Sequence, residues 1–336
     1  MKKKYWYGII LSAALLLSAR LHWAPSQWKD VLVMPFHKNE HTAEATLQNG
    51  EALSSFAKDL AEKGLIASRK NFLYWLSKNG TDRTLKAGTY RISSGPSWYA
   101  AEQLKNAKPV YISETILPGA YPERPLPFGT PEEQKAELEK LENFPESMRG
   151  ILPDDAQARS AFLLPETYLL VSESLSELIK KSSAAWFERF GHVVSDKTAA
   201  SRSAVIASLL QREAQVPEEY PVIAGVIENR LSKDMLLQID ASVVYAWYHQ
   251  KGEIVKRVLY RHLELDSPYN TYKYPGLPPG PICVPSGAAW EGALSPEKND
   301  YLYYVSSGDG KHQFSKSQSE HEKNVEAYRK KKQSGL

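Results

Sequence analysis

Three lysines, Lys2–Lys4, followed by an apolar run without charge from Tyr5 to Ala19, constrain this chain more than anything after them. Such a run leaves water for a bilayer, and positive charge on its leading side keeps that side in the cytoplasm. The run is short beside the roughly 20 residues of a full span. Leu21 and Trp23 lengthen it, and Arg20 can snorkel to the interface. A cleaved signal peptide needs small residues at alternate positions before the cut. Cutting after Ala19 puts Leu17 at the outer site, and cutting after Ala24 puts His22 there. We therefore expect a cytoplasmic stub over 1–4 and an uncleaved single-pass anchor over 5–23. The remainder would fold outside the cytoplasmic (inner) membrane. No cysteine comes after the run at the place a lipid anchor needs, which excludes a lipoprotein.

Beyond the apolar run the chain is long enough for a sizeable core and a smaller companion domain, its full length being 336 residues. Lys and Arg total 42 against 39 Asp and Glu, a net charge of +3, too mild for a nucleic-acid partner. The single cysteine, Cys283, can make neither an internal disulfide nor a metal site alone.

Residues 24–44 read as a polar linker. From 45 to 110 the pattern is a small α+β module. Leu53, Phe56, Ala57 and Leu60 share a helix face ended by Gly64, Ser68 can cap a second helix, and Gly88–Ile92 alternates as a strand does. Ser97–Leu104 reads as a short helix. Prolines crowd 118–131, and helices are expected over Glu132–Leu141 and Ser174–Phe190. A larger domain spans 111–328, and the basic stretch 329–336 reads as a solvated tail.

Ser203–Gln215 is an apolar-faced helix stopped by Pro217, with Glu213 in its last turn. A carboxylate at the negative end of a helix dipole is disfavoured. With partial burial that field raises the pKa toward what a general acid needs near neutrality. Beyond it stand Asn229-Arg230-Leu231, Leu237-Gln238-Ile239-Asp240, Tyr269-Asn270-Thr271-Tyr272 and Gly276–Ile282. Then come Tyr301–Val305, Gly310–Ser315 and Glu320-His321.

Together and in that order these motifs resemble the MltG-type (YceG-like) endolytic murein transglycosylases. An ordered set is far more specific than any one member. The 46–104 module resembles that family's LysM-like subdomain. The resemblance implies an α+β fold: anchor, LysM-like α+β module, and a catalytic domain mixing helices with an antiparallel sheet. Three departures stand out: Pro118-Gly119-Ala120 for a Pro-Glu-Gly, Ser160-Ala161 for a Glu-Gly, and Asp240-Ala241 for an Asp-Pro. The first two remove acidic residues that would help build a cleft.

The resemblance further implies cleavage of the β-1,4 bond between N-acetylmuramic acid and N-acetylglucosamine, leaving 1,6-anhydro ends. One group must protonate the leaving oxygen and then take the proton of the 6-hydroxyl. We assign that role to Glu213. Gln238 can hold an acetamido group or bond Glu213, and the alternative is a polar junction residue. Asn270 and Tyr272 are glycan-contact candidates, with turn roles as competitors. Asp240 is either a second carboxylate or, as preferred, a cap on the following helix. The Gly276–Gly280 stretch reads as a rigid wall, and Arg212 as pointing to solvent. His312 and His321 lack a compact third ligand, so neither a metal nor another cofactor is expected. Glycan strands, the membrane and cell-wall synthesis proteins are the expected partners. The alternatives are a glycan-binding scaffold with weakened catalysis and a lysozyme-like hydrolase pairing Glu213 with Asp240.

Overall fold

A computed structural model describes residues 41–333. The expected stub, anchor, first part of the linker (24–40) and last three tail residues lie outside the described residues. Among the described residues no helix is long and apolar enough to cross a membrane. These residues divide into two compact units. One runs to Ile112 and takes back Leu169–Glu173; the other is Ser113–Tyr168 with Ser174 onward.

In the first unit β1 (Thr42–Leu47) pairs antiparallel with β2 (Gly88–Ser93), Leu47 opposite Gly88 and Thr42 opposite Ser93. Thr42–Glu44, expected in the linker, belong to β1, because the partner strand extends to Ser93 and pairs with them. Alternation turns Ala45, Leu47, Tyr90 and Ile92 inward. Over them close α1 (Leu53–Glu62), α2 (Arg69–Lys78) and α3 (Ser97–Lys105), through Phe56, Leu60, Phe72, Leu76, Ala100 and Leu104. The ends are where the sequence puts them. Ser68 accepts from Asn71 N at α2's start. Gly64, at φ 68°, lets Leu65 N reach back to Leu60 O at 2.9 Å and close α1.

The second unit is mainly helical. Short β3 (Ile112–Thr115) and β4 (Thr167–Leu170) pair as one two-stranded sheet, and β5 (Tyr303–Ser306) with β6 (His312–Ser315) as another. The expected antiparallel sheet is thus a hairpin, Tyr303 opposite Ser315 and Ser306 opposite His312. After α4 (Pro131–Glu139) come α5 (Leu175–Phe190), α6 (Lys197–Glu213), α7 (Tyr220–Ser232), α8 (Asp240–Lys251) and α9 (Tyr260–Leu263). The last two helices are α10 (Gly287–Leu294) and α11 (Gln318–Gln333). Residues 329–333, expected as a solvated tail, are exposed and continue α11, helped by a Glu326–Lys330 pair one turn apart.

The core gathers Phe162, Trp186, Phe190 and Trp290, with Trp186 and Trp290 ring centroids 4.9 Å apart. The Trp290 indole donates to Ala161 O at 3.0 Å. The packing of α6 against α10 and α7 fixes the end of α6. Ser208 reinforces it, accepting from Ile282 N at 3.0 Å. Buried Cys283 donates to the Ser208 carbonyl.

Candidate active site

Glu213 is the last residue of α6; Ala214 is already extended, at φ −104° and ψ 144°. The helix starts six residues earlier than expected, at Lys197, because the Asp196 carboxylate accepts from Thr198 N and Ala199 N at 2.8 and 2.9 Å. Its end opens on a cleft of about 590 Å³. Gln238, Asp240 and Tyr272 line the same cleft, as do Arg230, Tyr304 and His321.

Part of Glu213 is open to the cleft, while its carboxyl group is surrounded by protein. Burial, then the charge of Asp240, pushes its pKa up to about 7, against a hydrogen bond from Tyr304 and the positive charge of Arg230. A carboxyl poised there holds and releases a proton with equal ease near neutrality.

The surrounding groups are placed by backbone bonds. Arg230, only 8% exposed, donates Nε to Leu302 O at 2.6 Å and Nη1 to Leu237 O at 2.7 Å, joining α7 to the segments on either side. Its neighbour Asn229 donates to Asn299 O and Tyr301 O, both at 2.9 Å, and so fixes the approach to β5. Across the hairpin, Glu219 accepts from His312 N at 2.9 Å and bonds His312 Nδ1 at 2.7 Å. His312 is a strap between segments and does not line the cleft.

Gln238 takes the left-handed φ of 48°, unusual for a residue with a side chain. Gln238 N donates to Thr271 O at 3.1 Å and Ile239 N to Thr271 Oγ1 at 2.9 Å, holding that turn. Leu237 and Ile239 are thereby buried while Gln238 and Asp240 stay exposed. The bond to Glu213 comes from Tyr304, not from Gln238.

The preference for Asp240 as a helix cap is overturned. It is the first residue of α8, makes no cap bond, and accepts from the Tyr272 hydroxyl at 2.6 Å. Asn270 is corrected too: it is fully buried. Its amide donates to Leu263 O and Leu265 O at 2.8 Å, and its Oδ1 accepts from Tyr272 N at 3.0 Å. It shapes the loop that aims Tyr272 and does not itself line the cleft.

The Gly276–Gly280 stretch does not line the cleft. Arg212 is exposed, yet its guanidinium lies 5.3 Å from the Tyr121 ring centroid and donates to Gly119 O at 3.4 Å. Neither departure that removed acidic residues reaches the cleft: Gly119 N donates to Val284 O at 2.8 Å, and Ser160 is buried in the core.

Sequence reasoning gives no role to Arg230, Tyr303 or Tyr304, although each lies within a motif it singles out. It offers His321 only as a metal ligand. His321 lines the cleft, its ring stacked on Tyr303 at 5.2 Å between centroids. Among the described residues no group of three or more His, Cys, Asp or Glu could hold a metal ion.

A model of the YceG-like family matches residues 45–327. An endolytic murein transglycosylase of Bacillus subtilis is 32% identical over 321 residues, 88% of each chain. One from Streptococcus pneumoniae is 31% identical over 196 residues, covering 54% of this chain and 35% of that one. Among solved structures, a yceG-like protein from Listeria monocytogenes aligns at a TM-score of 0.52 and 27% identity, over 84% of this chain and 99% of that one.

Proposed function

This chain belongs to the YceG-like family, and from that premise we propose a mechanism centred on Glu213 for its cleavage of peptidoglycan glycan strands. The protein is a lytic transglycosylase, an enzyme of the cell wall. The bond cut is the β-1,4 link of N-acetylmuramic acid to N-acetylglucosamine. Protonated Glu213 gives its proton to the bridging oxygen as the C1–O4 bond breaks. The resulting carboxylate takes the proton of the 6-hydroxyl as O6 closes on C1. One bond is broken, one is made and no water is consumed, so the product keeps the substrate's atoms and ends in a 1,6-anhydro sugar. A single carboxyl cycling between two states suffices, and the pair demanded of ordinary glycosidases is unnecessary.

The observation that carries this reading is the Glu213 carboxyl, enclosed at the end of α6 beside an open cleft, with its pKa pushed up to about 7. Gln238, exposed in the same cleft, is assigned to the substrate's acetamido groups, and Tyr272 with Asp240 to its hydroxyls. The intact cleft argues against a scaffold with weakened catalysis. Asp240 in the same cleft favours one competitor, a hydrolase using it as the second carboxylate. The products differ by one water, the anhydro end being lighter.

Glu213→Gln should lower release of anhydro-ended fragments from purified sacculi by at least about a hundredfold with unfolding unchanged in cooperativity. Mass spectrometry of the fragments reads the result. Anhydro products from the variant at the parent rate would end the assignment, and reducing-end products from the parent would favour hydrolysis.

We place the enzyme on the outer face of the cytoplasmic membrane, on the strength of the lysines and apolar run at its start. The first unit, with its β1–α1–α2–β2 order, fits the LysM-like role that its sequence suggests. Membrane fractionation of the full chain with and without residues 1–24 tests the anchor.

A further inference from the structure

The first unit holds a pocket of its own, of about 400 Å³. Its walls come from the stretch before β2, from Tyr90 in β2, from the last turn of α3 and from the segment after it. Lys86, Lys105 and Lys108 line it, and no carboxylate does. Among the described residues Lys86 and Lys108 have no acidic partner, while Lys105 shares an exposed pair with Glu102 at 3.5 Å. Leu104, Pro109 and the Tyr111 ring supply apolar surface between the charges.

The frame is fixed by backbone contacts rather than by the lysine side chains. Thr89 and Val110 exchange backbone bonds at 3.2 and 2.8 Å, strapping the segment after α3 onto β2. Pro109 presses on Gly88 so closely that a Cβ there would sit 2.1 Å from its ring. Tyr111 donates to Ala87 O at 3.2 Å and Tyr90 to Lys86 O at 2.5 Å, anchoring both rims. A concave site with three cations, no anion and a rigid backbone concentrates negative charge.

We propose that this pocket binds carboxylates of the peptide stems carried by the glycan strand, giving the enzyme a second grip on its substrate. The inference rests on the reading that peptidoglycan is the substrate. The sugars of the strand are cut at the cleft; the stems carry the substrate's carboxylates, and the apolar strips between the lysines suit their aliphatic side chains. A flat anionic lipid surface fits a recessed, walled site less well.

The test uses the full chain in detergent and the triple variant Lys86→Ala, Lys105→Ala, Lys108→Ala. The substrates are glycan strands with stems and strands stripped by an amidase. For the parent, KM should be lower on stem-bearing strands by about three- to tenfold, the advantage shrinking as salt rises. The triple variant should lose the advantage and keep its kcat on stripped strands. A preference that survives in the variant, or one absent from the parent, overturns the proposal. Cleavage of stripped strands by the parent reports separately on the function. Binding of Glu213→Gln, with and without the triple change, to intact and to stripped sacculi reads the pocket even where nothing is cut. Retention that does not depend on stems overturns it. Phosphatidylglycerol vesicles form the last arm: capture by them that the triple variant loses would reassign the pocket to lipid.

Discussion

Glu213 answers to burial and to three neighbours that push in known directions. Burial and the Asp240 charge favour its proton; the Tyr304 hydroxyl and the Arg230 charge favour its release. Opposite variants should therefore shift activity in opposite ways. Tyr304→Phe removes a bond to the ionised form, so the alkaline limb of the cleavage rate should move to higher pH. Asp240→Asn removes a negative neighbour, so the limb should move to lower pH. Rate against pH on purified strands reads both, and shifts in the same direction would refute the account.

The same carboxyl bears on stability. Its folded pKa is raised from 4.5 to about 7. The native state holds the proton more tightly than the unfolded chain, so the contribution is fully present below about 4.5 and lost as pH climbs through 7. At about 1.4 kcal/mol per pKa unit the loss is about 3 kcal/mol. Glu213→Gln, which cannot ionise, should match the parent at acid pH and exceed it in melting temperature at pH 8. Equal melting temperatures at pH 8 would mean that the carboxyl is not enclosed.

Among the elements, the loop from Ser267 to Tyr272 does the most positioning. Asn270 occupies the carbonyls of Leu263 and Leu265, which precede the loop, and the amide of Tyr272 within it, and Thr271 docks that loop on the start of α8 through Ile239 N and the Ser242 hydroxyl at 2.8 Å. Asn270→Ala strands those groups in the interior and should cost about 1–3 kcal/mol in urea unfolding. It should also raise KM, since Tyr272 loses its aim. An unchanged urea midpoint would show that the loop holds without Asn270. Local pattern reveals Asn270 as a turn residue or a ligand with equal force. Only the carbonyls of Leu263 and Leu265, brought around it by the fold, make the choice. Helix starts are easier: Ser68 caps as read, because a cap needs only the next turn of chain.

On the scale of the molecule, each unit keeps its own apolar centre, Phe56, Leu60 and Phe72 in one, Trp186 and Trp290 in the other. Calorimetry of the full chain should resolve two transitions, with Phe56→Ala lowering only one of them, by about 3–5 kcal/mol of stability. A single transition shifted as a whole would show the units to unfold together. The family and several of the helices, α1, α2, α3, α5 and α6 among them, were legible in the amino-acid order. Apolar periodicity, caps and short motifs act over a few residues, and an ordered series of motifs carries a family. The cleft was not legible. It joins Glu213, Arg230, Gln238, Tyr272, Tyr304 and His321 across more than a hundred positions of chain. Proton affinity at its centre is set by distance and burial, which are properties of the packed chain alone.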